Sequence, residues 1–346
     1  MEKRLSIGML IGWKIEPELC LASAMAASSH QADFFYFYPG DVKEATRTIR
    51  GKEWNGTKWV YNTFDYPDVI YDRMRRRGSD QFGNIYEKLA GIPITHTLIG
   101  KSMYKTKVYN LLLGHPELKK IVIPFMTMRE PEKVIEFIQQ HQQVVLKADR
   151  GAKGENTFTA EVKGDMLEVF DQTYIHQMNA EQTIALVELL TERRYCVQKL
   201  VQSSTVIQGF PFYIRVHIAK NGKNEWIVAF CSAGISLKSN IKIANSKKTL
   251  TVSTTWNRFL EHQFGEEVNG PMDQKIQKTA LQLANYLESQ IGSGFHEIGL
   301  DIGVDEHRNI CLFEAGIGLP STLFNYVELA RPAIEYSLYL ARQSLK

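Results

Sequence analysis

The sequence predicts a mixed chain, α/β in its first part and α+β in the rest, and two observations lead to that assignment. Near the N-terminus a strand (Ser6–Trp13), a helical stretch (Glu18–Ser28) and an aromatic strand (Phe34–Tyr38) follow one another, as they do in α/β proteins. Farther along, strand-like runs around polar turns alternate with long helical stretches, which is typical of antiparallel sheets that pack against helices.

Composition limits the function classes. At 346 residues, with 44% hydrophobic and 23% charged side chains, the chain is long enough for two or three compact units and has the balance of a soluble protein. The formal charge of +3 is small for this length, so a protein that binds nucleic acid non-specifically is not expected. No apolar run approaches the roughly 18 residues of a membrane span.

The cysteines and the N-terminus bear on the cellular compartment. Four cysteines stand far apart without a CxxC pair, which indicates reduced thiols in a cytosolic protein. Lys3 and Arg4 precede an apolar run that loosely resembles a signal peptide, but Lys14, Glu16 and Pro17 interrupt it. A buried first strand followed by a helix explains the pattern better, so a cytoplasmic location is expected.

A basic run follows the predicted strand Val69–Tyr71. It comprises Arg73, Arg75, Arg76 and Arg77. Such a run either contacts an anionic substrate or a phosphate, or forms a solvated face, and the solvated face is the more common case.

From about Ile94 onward, helices and strands continue to alternate. Helices are indicated by apolar periodicity and by prolines in their first turns. The predicted helices are Lys101–Leu113, Pro131–His141, Ala180–Arg193, residues 272–291 and Pro332–Ser344, and the predicted strands include Val144–Ala148, Thr157–Val162 and Tyr195–Val201.

Lys147 stands inside the apolar strand Val144–Ala148. A lysine there is costly unless it meets a fixed anion. Gly151 and Gly154 follow, and glycines let backbone N–H groups approach phosphate oxygens. The alternative is an ordinary hairpin whose edge lysine extends to water. The segment is neither a P-loop nor a dinucleotide fingerprint, because GK[ST] and GxGxxG are both absent from the sequence.

A second cation, Arg215, stands between Ile214 and Val216 in a later strand. A guanidinium in that position is expected to pair with a carboxylate or a phosphate. The segment Ser236–Thr255 is polar, lysine-rich and without period, and is therefore interpreted as a mobile basic loop.

The stretch Phe295–Gly318 reads as a hairpin with one acidic residue on each strand. Alternation of apolar residues with glycines turns Asp301 away from the apolar side, and the returning strand brings Glu314 into its neighbourhood. Two close carboxylates repel each other unless a cation lies between them, and Mg²⁺ accepts a few carboxylates together with phosphate oxygens. The pattern indicates a nucleotide–metal site, and the alternative is a solvated acidic face.

At several of these motifs the chain resembles ATP-grasp proteins of the YheC/YheD type, a family described as endospore coat-associated. The resemblance covers nearly the whole chain. It is carried by FFYFYPGDV, IRGKEWNGTKWV, PDVIYDR, TKVYNLLLGHPELKKIVIP, VVLKADRGAKG, GFPFYIRV and the acidic hairpin. It implies a pre-ATP-grasp α/β domain over residues 1–95 and a two-lobed ATP-grasp domain over 96–346, with a lid subdomain at about 144–200 and a C-terminal lobe at about 201–346.

The resemblance also implies site residues. Arg215 is expected to stabilise the transferred phosphoryl group or the acyl-phosphate intermediate, and Asp301 and Glu314 to hold Mg²⁺. The strand from Gln198 onward would offer backbone groups to adenine, with Lys199 facing the base. The residues expected to bind ATP are Lys107, Lys147, Gly151, Lys153, Gly154, Gln198, Lys199, Leu200, Val201 and Asn245.

The implied reaction is ATP-dependent joining of a carboxylate to an amine through an acyl phosphate, with an amino acid or peptide as substrate. The chain departs from the family pattern at three places. Gly316 stands where an asparagine usually ligates metal, Tyr213 stands where aspartate is expected, and the segment around Asn245 lacks the usual glycines.

Because of these departures, two other functions stay open. One is a non-catalytic nucleotide-binding or spore-coat assembly protein, and the other is a carboxylate kinase. The basic loop and the arginine run favour an acidic peptide or an amino acid as acceptor. Neither nucleic acid nor membrane is expected as a partner, and the family description leaves association with the spore coat open.

Overall fold

The structure is a computed structural model that describes residues 4–12, 15–74, 82, 84–98, 103–151, 156–238, 241–244, 250–318 and 324–345. Over these residues the chain forms three sheets with helices packed on them. The first sheet contains parallel strands joined through a helix and the other two are antiparallel, so the predicted fold class, α/β followed by α+β, is confirmed.

Element bounds within the described residues are as follows. The strands are β1 (Ser6–Leu10), β2 (Asp33–Phe37), β3 (Val42–Lys43), β4 (Thr48–Trp54), β5 (Trp59–Asp65), β6 (Val69–Asp72), β7 (Phe125–Thr127), β8 (Gln143–Ala148), β9 (Thr157–Lys163), β10 (Met166–Phe170), β11 (Ile175–Met178), β12 (Tyr195–Lys199), β13 (Phe212–Lys220), β14 (Trp226–Ser236), β15 (Thr251–Thr255), β16 (Glu297–Val304) and β17 (Ile310–Ile317). The helices are α1 (Pro17–Ser29), α2 (Ile85–Lys88), α3 (Lys105–Leu113), α4 (Pro131–His141), α5 (Ala180–Glu192), α6 (Trp256–Phe264), α7 (Glu266–Ile291) and α8 (Tyr326–Ser344).

The N-terminal sheet has the order β3-β4-β2-β1-β6, and β5 pairs with β4. β1 lies parallel to both β2 and β6, and α1 makes the crossover between β1 and β2. α1 and α8 pack together on one face of this sheet, where Leu19 and Ile334 are fully buried. The C-terminal helix therefore completes the core of the N-terminal sheet.

The middle sheet has the order β11-β10-β9-β8-β12-β7 and is antiparallel throughout. α4 and α5 cover one face and bury Val144 and Leu146 of β8. Because successive residues of a strand point to opposite faces, Lys147 points away from these helices.

The C-terminal sheet has the order β15-β14-β13-β16-β17 and is also antiparallel. On one face Val216 and Leu300 pack against α3, α6 and α7 in the largest apolar core of the described residues. Arg215 and Asp301 lie one residue farther along their strands, and their side chains therefore share the opposite face. We call this opposite side the polar face of the C-terminal sheet.

Arg73 joins the N-terminal sheet to the polar face. Its guanidinium contacts Glu297 Oε2 at 3.2 Å and Glu16 Oε2 at 2.9 Å. Glu297 is fully buried; burial alone would raise the pKa of its carboxyl, but Arg73 holds it well below the usual range. Arg73 therefore belongs neither to a solvated face nor to a free anion site, and Arg75, Arg76 and Arg77 lie outside the described residues.

The mobile basic loop predicted for Ser236–Thr255 is partly wrong. β14 extends to Ser236, and Thr251–Thr255 is a strand that completes the edge of the C-terminal sheet. Lys242 forms an ion pair with Glu161 of β9, which ties the segment to the middle sheet. A polar edge strand lacks the apolar alternation that would have indicated it.

Other boundaries differ because local signals were outweighed by burial. The hairpin of β4 and β5 was not predicted, since Gly51 and three charged residues break the pattern of β4. α8 begins at Tyr326 although Pro332 lies inside it, because its buried residues Leu329 and Ala333 continue one apolar face across the proline.

Within the described ranges, no helix has both the length and the apolarity needed to cross a lipid bilayer.

Candidate active site

The hairpin of β16 and β17 places two carboxylates side by side on the polar face. The strand register pairs Asp301 with Glu314 on one side and with Arg215 on the other. Directly opposed residues on antiparallel strands share a face and lie about 5 Å apart, so these three side chains form one row. The sequence prediction that the hairpin returns Glu314 to Asp301 agrees with this register.

Arg215 and Asp301 form a two-point ion pair. Nε donates to Oδ1 at 2.7 Å and Nη2 donates to Oδ2 at 3.1 Å. Burial tends to lower the pKa of the guanidinium, but Asp301 outweighs it, so the pKa of Arg215 is raised. Arg215 is therefore a charged, oriented group, and a forked geometry of this kind also suits phosphate.

A β-bulge next to Asp301 exposes one backbone carbonyl. The register shifts between Asp301 and Ile302, which pair with Glu314 and Leu312, so Phe313 has no partner in the ladder. Its carbonyl oxygen accepts a hydrogen bond from Tyr109 Oη at 2.6 Å and one from Lys147 Nζ at 2.9 Å. The bulge thus links the C-terminal sheet to α3 and to the middle sheet.

Lys147 is buried at this junction and uses all three of its donors. Nζ donates to Gln198 Oε1 at 2.7 Å, to Phe313 O at 2.9 Å and to Tyr109 Oη at 3.0 Å. Burial lowers the pKa of the ammonium group. Lys147 therefore lies beside the row of Arg215, Asp301 and Glu314, and three neutral oxygens stabilise its charge.

Lys105, at the start of α3, is a buried cation that the sequence interpretation missed. Its Nζ lies 3.5 Å from Glu314 Oε1 and donates to Gly151 O at 3.0 Å. Asp149 caps this end of α3, since Thr106 N and Oγ1 donate to its carboxylate at 2.9 and 2.7 Å. The signal was present: Lys105, Val108, Tyr109 and Leu112 occupy one helical stripe, which points Lys105 inward.

Lys107, by contrast, is exposed. It lines a cavity of about 790 Å³ together with Arg129, Glu192 and other residues of α3, β7 and the end of α5. Lys147, Arg215, Asp301 and Glu314 do not line this cavity. We place the candidate site where the ion pairs of β13, β16, β17 and α3 meet, and we call this place the junction. The role of Lys107 in binding phosphate stays a prediction.

The segment Gln198–Val201 lies at the end of β12. Gln198 is 2% exposed and its Nε2 has no hydrogen-bond partner among the described residues. The backbone N–H groups of Lys199 and Leu200 donate to Pro124 O and Gln143 O, both at 2.9 Å, and the Lys199 side chain is exposed. If an adenine ring binds at this segment, the backbone groups left to contact it are the carbonyl groups of Gln198–Val201 and the N–H of Val201.

Three predicted ligands, Lys153, Gly154 and Asn245, lie outside the described residues. Gly151 is described and has a φ of +125°, a conformation that glycine adopts readily. The structure thus brings Lys147, Gly151, Gln198, Arg215, Asp301 and Glu314 together around one junction.

The acidic pair is small for a metal site. Among the described residues, no group of three or more histidine, cysteine, aspartate or glutamate side chains is placed to hold a metal ion. Gly316 follows Glu314 on the same face of β17, and a Cβ added there would meet only Gly299 O, at 3.8 Å. Two carboxylates suffice for Mg²⁺ when phosphate oxygens and water complete its coordination.

Comparison with known proteins agrees with this geometry. Residues 96–340 match the family model described as YheC/D like ATP-grasp. The chain belongs to the YheC/D-like ATP-grasp family. It is 22% identical over 333 residues to the endospore coat-associated protein YheD of Bacillus subtilis (strain 168), which is 90% of this chain and 71% of YheD.

Solved structures show that this YheC/D-like chain has the ATP-grasp fold. The VanG D-Ala:D-Ser ligase from Enterococcus faecalis superimposes with a TM-score of 0.54 at 14% identity, over 98% of this chain and 100% of VanG. The ATP-grasp ligase PsnB, complexed with a minimal precursor, gives a TM-score of 0.55 at 12% identity, over 98% and 100% of the two chains. PsnB with its precursor, Mg and ADP gives 0.51 at 11% identity, over 97% and 98%. The family and fold predicted from the sequence motifs are confirmed.

Proposed function

We propose that the protein is an ATP-dependent carboxylate–amine ligase that works through an acyl phosphate. The observation that carries the proposal is the meeting of three cations and two carboxylates where the middle and C-terminal sheets join. The cations are Lys105, Lys147 and Arg215, and the carboxylates are Asp301 and Glu314. The ligase names of the structural neighbours VanG and PsnB support the same reaction class.

The residues at the junction fit a nucleoside triphosphate with Mg²⁺. Buried ammonium groups such as Lys105 and Lys147 favour a polyanion, because each is stabilised by negative charge in a site of low dielectric. The unpartnered amide of Gln198 offers a further donor beside them. Asp301 and Glu314 supply the oxygen ligands that Mg²⁺ prefers, and the bound ion would neutralise phosphate charge.

Each side chain then has a definite part in the reaction. Lys105 and Lys147 bind and orient the phosphates, and Arg215, held by Asp301, stabilises charge on the phosphoryl group in transfer. A substrate carboxylate oxygen bonds to the γ-phosphorus as the bond to the β–γ bridging oxygen breaks, which releases ADP. An amine nitrogen then bonds to the acyl carbon, and inorganic phosphate and a proton leave. Positioning and charge neutralisation supply most of the rate enhancement.

The direct test is incubation with ATP, Mg²⁺ and a panel of amino acids and short peptides. We expect ADP release that depends on both a carboxylate and an amine, together with a product whose mass equals the sum of the two substrates minus water. Nucleotide binding without ADP release for any pair in the panel would contradict the ligase proposal.

Asp301→Asn tests the role of the carboxylate row. The change removes the charge that orients Arg215 and one proposed metal ligand, so we expect ADP formation to fall by about 10- to 100-fold while ADP affinity is mostly kept. The matched control is Asp305→Asn, in the turn of the same hairpin, where a normal rate is expected. Equal rates for Asp301→Asn and the unaltered protein would contradict the assignment.

Gly316 favours a second candidate, a nucleotide-binding protein that assembles with other components and does not turn over. It offers no third ligand beside Asp301 and Glu314. The relative YheD is named for its association with the endospore coat, which fits an assembly role. Retention on a coat fraction, with tight nucleotide binding and no ADP formation, would favour this candidate over the ligase.

A further inference from the structure

A second cleft opens at the far edge of the C-terminal sheet. It has a volume of about 440 Å³ and lies between β14, the start of α6 and the start of α8. This size is within the range of small-molecule sites. None of the residues assigned above to the candidate active site lines it.

The strand register connects this cleft to Arg215. Thr255, in the wall of the cleft, pairs with Ser232, and Ser232 pairs with Arg215. Residues that oppose one another in an antiparallel sheet share a face, so Thr255 stands at the end of the row that contains Arg215, Asp301 and Glu314. Two strand spacings separate Thr255 from Arg215, roughly 10 Å along the polar face.

Among the described residues that line the cleft, one unpaired charge of each sign is present. Arg258 enters it from α6 and Glu328 from α8, and both are exposed. Within the described part of the chain neither forms an ion pair, either with the other or with a third residue. A ligand with an anionic and a cationic group would complement these two charges, whereas a polyphosphate would be repelled by Glu328.

Trp256 gives the cleft a rigid apolar wall. Its indole Nε1 donates to Asp273 Oδ1 at 2.6 Å, and Gln277 Nε2 donates to the other oxygen of Asp273 at 2.8 Å. A ring held in this way presents an ordered surface to methylene groups, and little entropy is lost when they pack on it.

We propose that this cleft holds the charged head of an amino-acid substrate, with its α-carboxylate on Arg258 and its α-ammonium on Glu328. The reacting carboxylate or amine lies farther along the substrate, on a chain that continues from the side chain of this head residue and spans the roughly 10 Å between Thr255 and Arg215, a distance that a single glutamate or lysine side chain does not reach. The inference rests on the proposed function for the identity of the reacting group. It narrows the substrate class to amino-acid head groups whose side chain is extended by a further linked residue, and the free amino acids serve as probes of the head group alone.

Calorimetric titration with L-glutamate, L-lysine and L-ornithine tests the cleft without turnover. We expect at least one of them to bind at millimolar concentration. Arg258→Gln should weaken that binding by about tenfold or more but leave the binding of the α-carboxamide analogue unchanged, because the analogue lacks the contact that the change removes. Glu328→Gln should behave in the same way towards the Nα-acetyl analogue.

Matched controls come from the 790 Å³ cavity, where Arg129→Gln and Glu192→Gln change exposed residues of the same types. Both should bind the amino acid as the unaltered protein does. The cleft assignment is overturned if none of the three amino acids binds, or if the cleft variants bind the parent ligand normally. A parallel titration with ADP and Mg²⁺ separates the two proposals: amino-acid binding without nucleotide binding supports the cleft and contradicts the ligase, and the reverse result overturns the cleft alone.

Discussion

At the scale of single residues, two lysines near the start of α3 have opposite surroundings. Lys105 is buried beside Glu314, whereas Lys107 is exposed. If Lys105 binds phosphate, Lys105→Met should weaken ATP affinity by about tenfold or more, because a charge-assisted contact is lost. Lys107→Met, two positions away, tests the sequence prediction for Lys107 in the same assay, and because Lys107 lies outside the junction we expect it to lower affinity by less than about twofold. Fluorescent-nucleotide titration measures both, and equal losses would contradict the preference for Lys105.

Gly316 is the residue whose replacement should add a metal ligand. A Cβ there makes only an ordinary contact with Gly299 O, at 3.8 Å, and the φ of Gly316 lies outside the left-handed region, so Gly316→Asn should fold normally. Its amide oxygen would lie on the same face as Glu314, and we expect the affinity for Mn²⁺ in the presence of ADP to rise about tenfold. Electron paramagnetic resonance measures free Mn²⁺. Unchanged binding would place the metal away from this end of β17.

At the scale of the element, the bulge in β17 depends on a glycine in β16. A Cβ on Gly303 would overlap the ring of Phe313, the residue whose carbonyl receives Lys147 and Tyr109. Gly303→Ala should therefore lower the free energy of unfolding by about 1–3 kcal/mol. Gly316→Ala, in the same hairpin, has space and should change it by less than about 0.5 kcal/mol. Guanidinium unfolding distinguishes the two, and similar midpoints would show that the ring moves aside without cost.

At the scale of the whole molecule, the contact between the N-terminal and C-terminal sheets makes stability depend on pH. His217 is fully buried among Glu297, Arg73, Arg215 and His296, and burial lowers its pKa from 6.5 to about 4. Between these two values the unfolded chain binds a proton that the folded chain does not, so stability falls as pH falls through this window. The loss from pH 7 to pH 5 should be on the order of 2 kcal/mol.

His217→Gln checks this assignment because glutamine does not titrate. Unfolding free energies measured in urea at pH 7, 6 and 5 should fall less steeply for the variant than for the unaltered protein. The interval stays above the ordinary pKa of carboxylates, so Glu297 contributes little to the slope. Parallel slopes would mean that His217 is protonated in the folded state.

How far the sequence predicts this molecule depends on the kind of signal. The period of two around Asp301 is a local pattern, and it predicted that Asp301 and Glu314 are neighbours. The single lysine in β8 is also a local pattern, but its partners are neutral oxygens and not the fixed anion that was expected, and phosphate binding there stays a prediction. Lys105 was not predicted as a site residue, although its place on a buried helical stripe follows from the sequence. The segment TKVYNLL, which carries the family resemblance, begins at Thr106 and contains Lys107 but not Lys105. The carbonyl of Phe313 could not have been predicted, since its availability comes from a register shift between strands that residue types alone do not specify. The edge strand β15 was not predicted because edge strands are commonly polar, so it lacks the apolar alternation by which a strand is predicted.

The three hydrogen bonds of Lys147 join the middle sheet, α3 and the C-terminal sheet through one ammonium group. If Lys147 binds phosphate as proposed, a triphosphate replaces at least one of these bonds, and the bond to Phe313 O is the one that crosses to the C-terminal sheet. Nucleotide binding and loosening of the contact between the two sheets would then be coupled through one side chain.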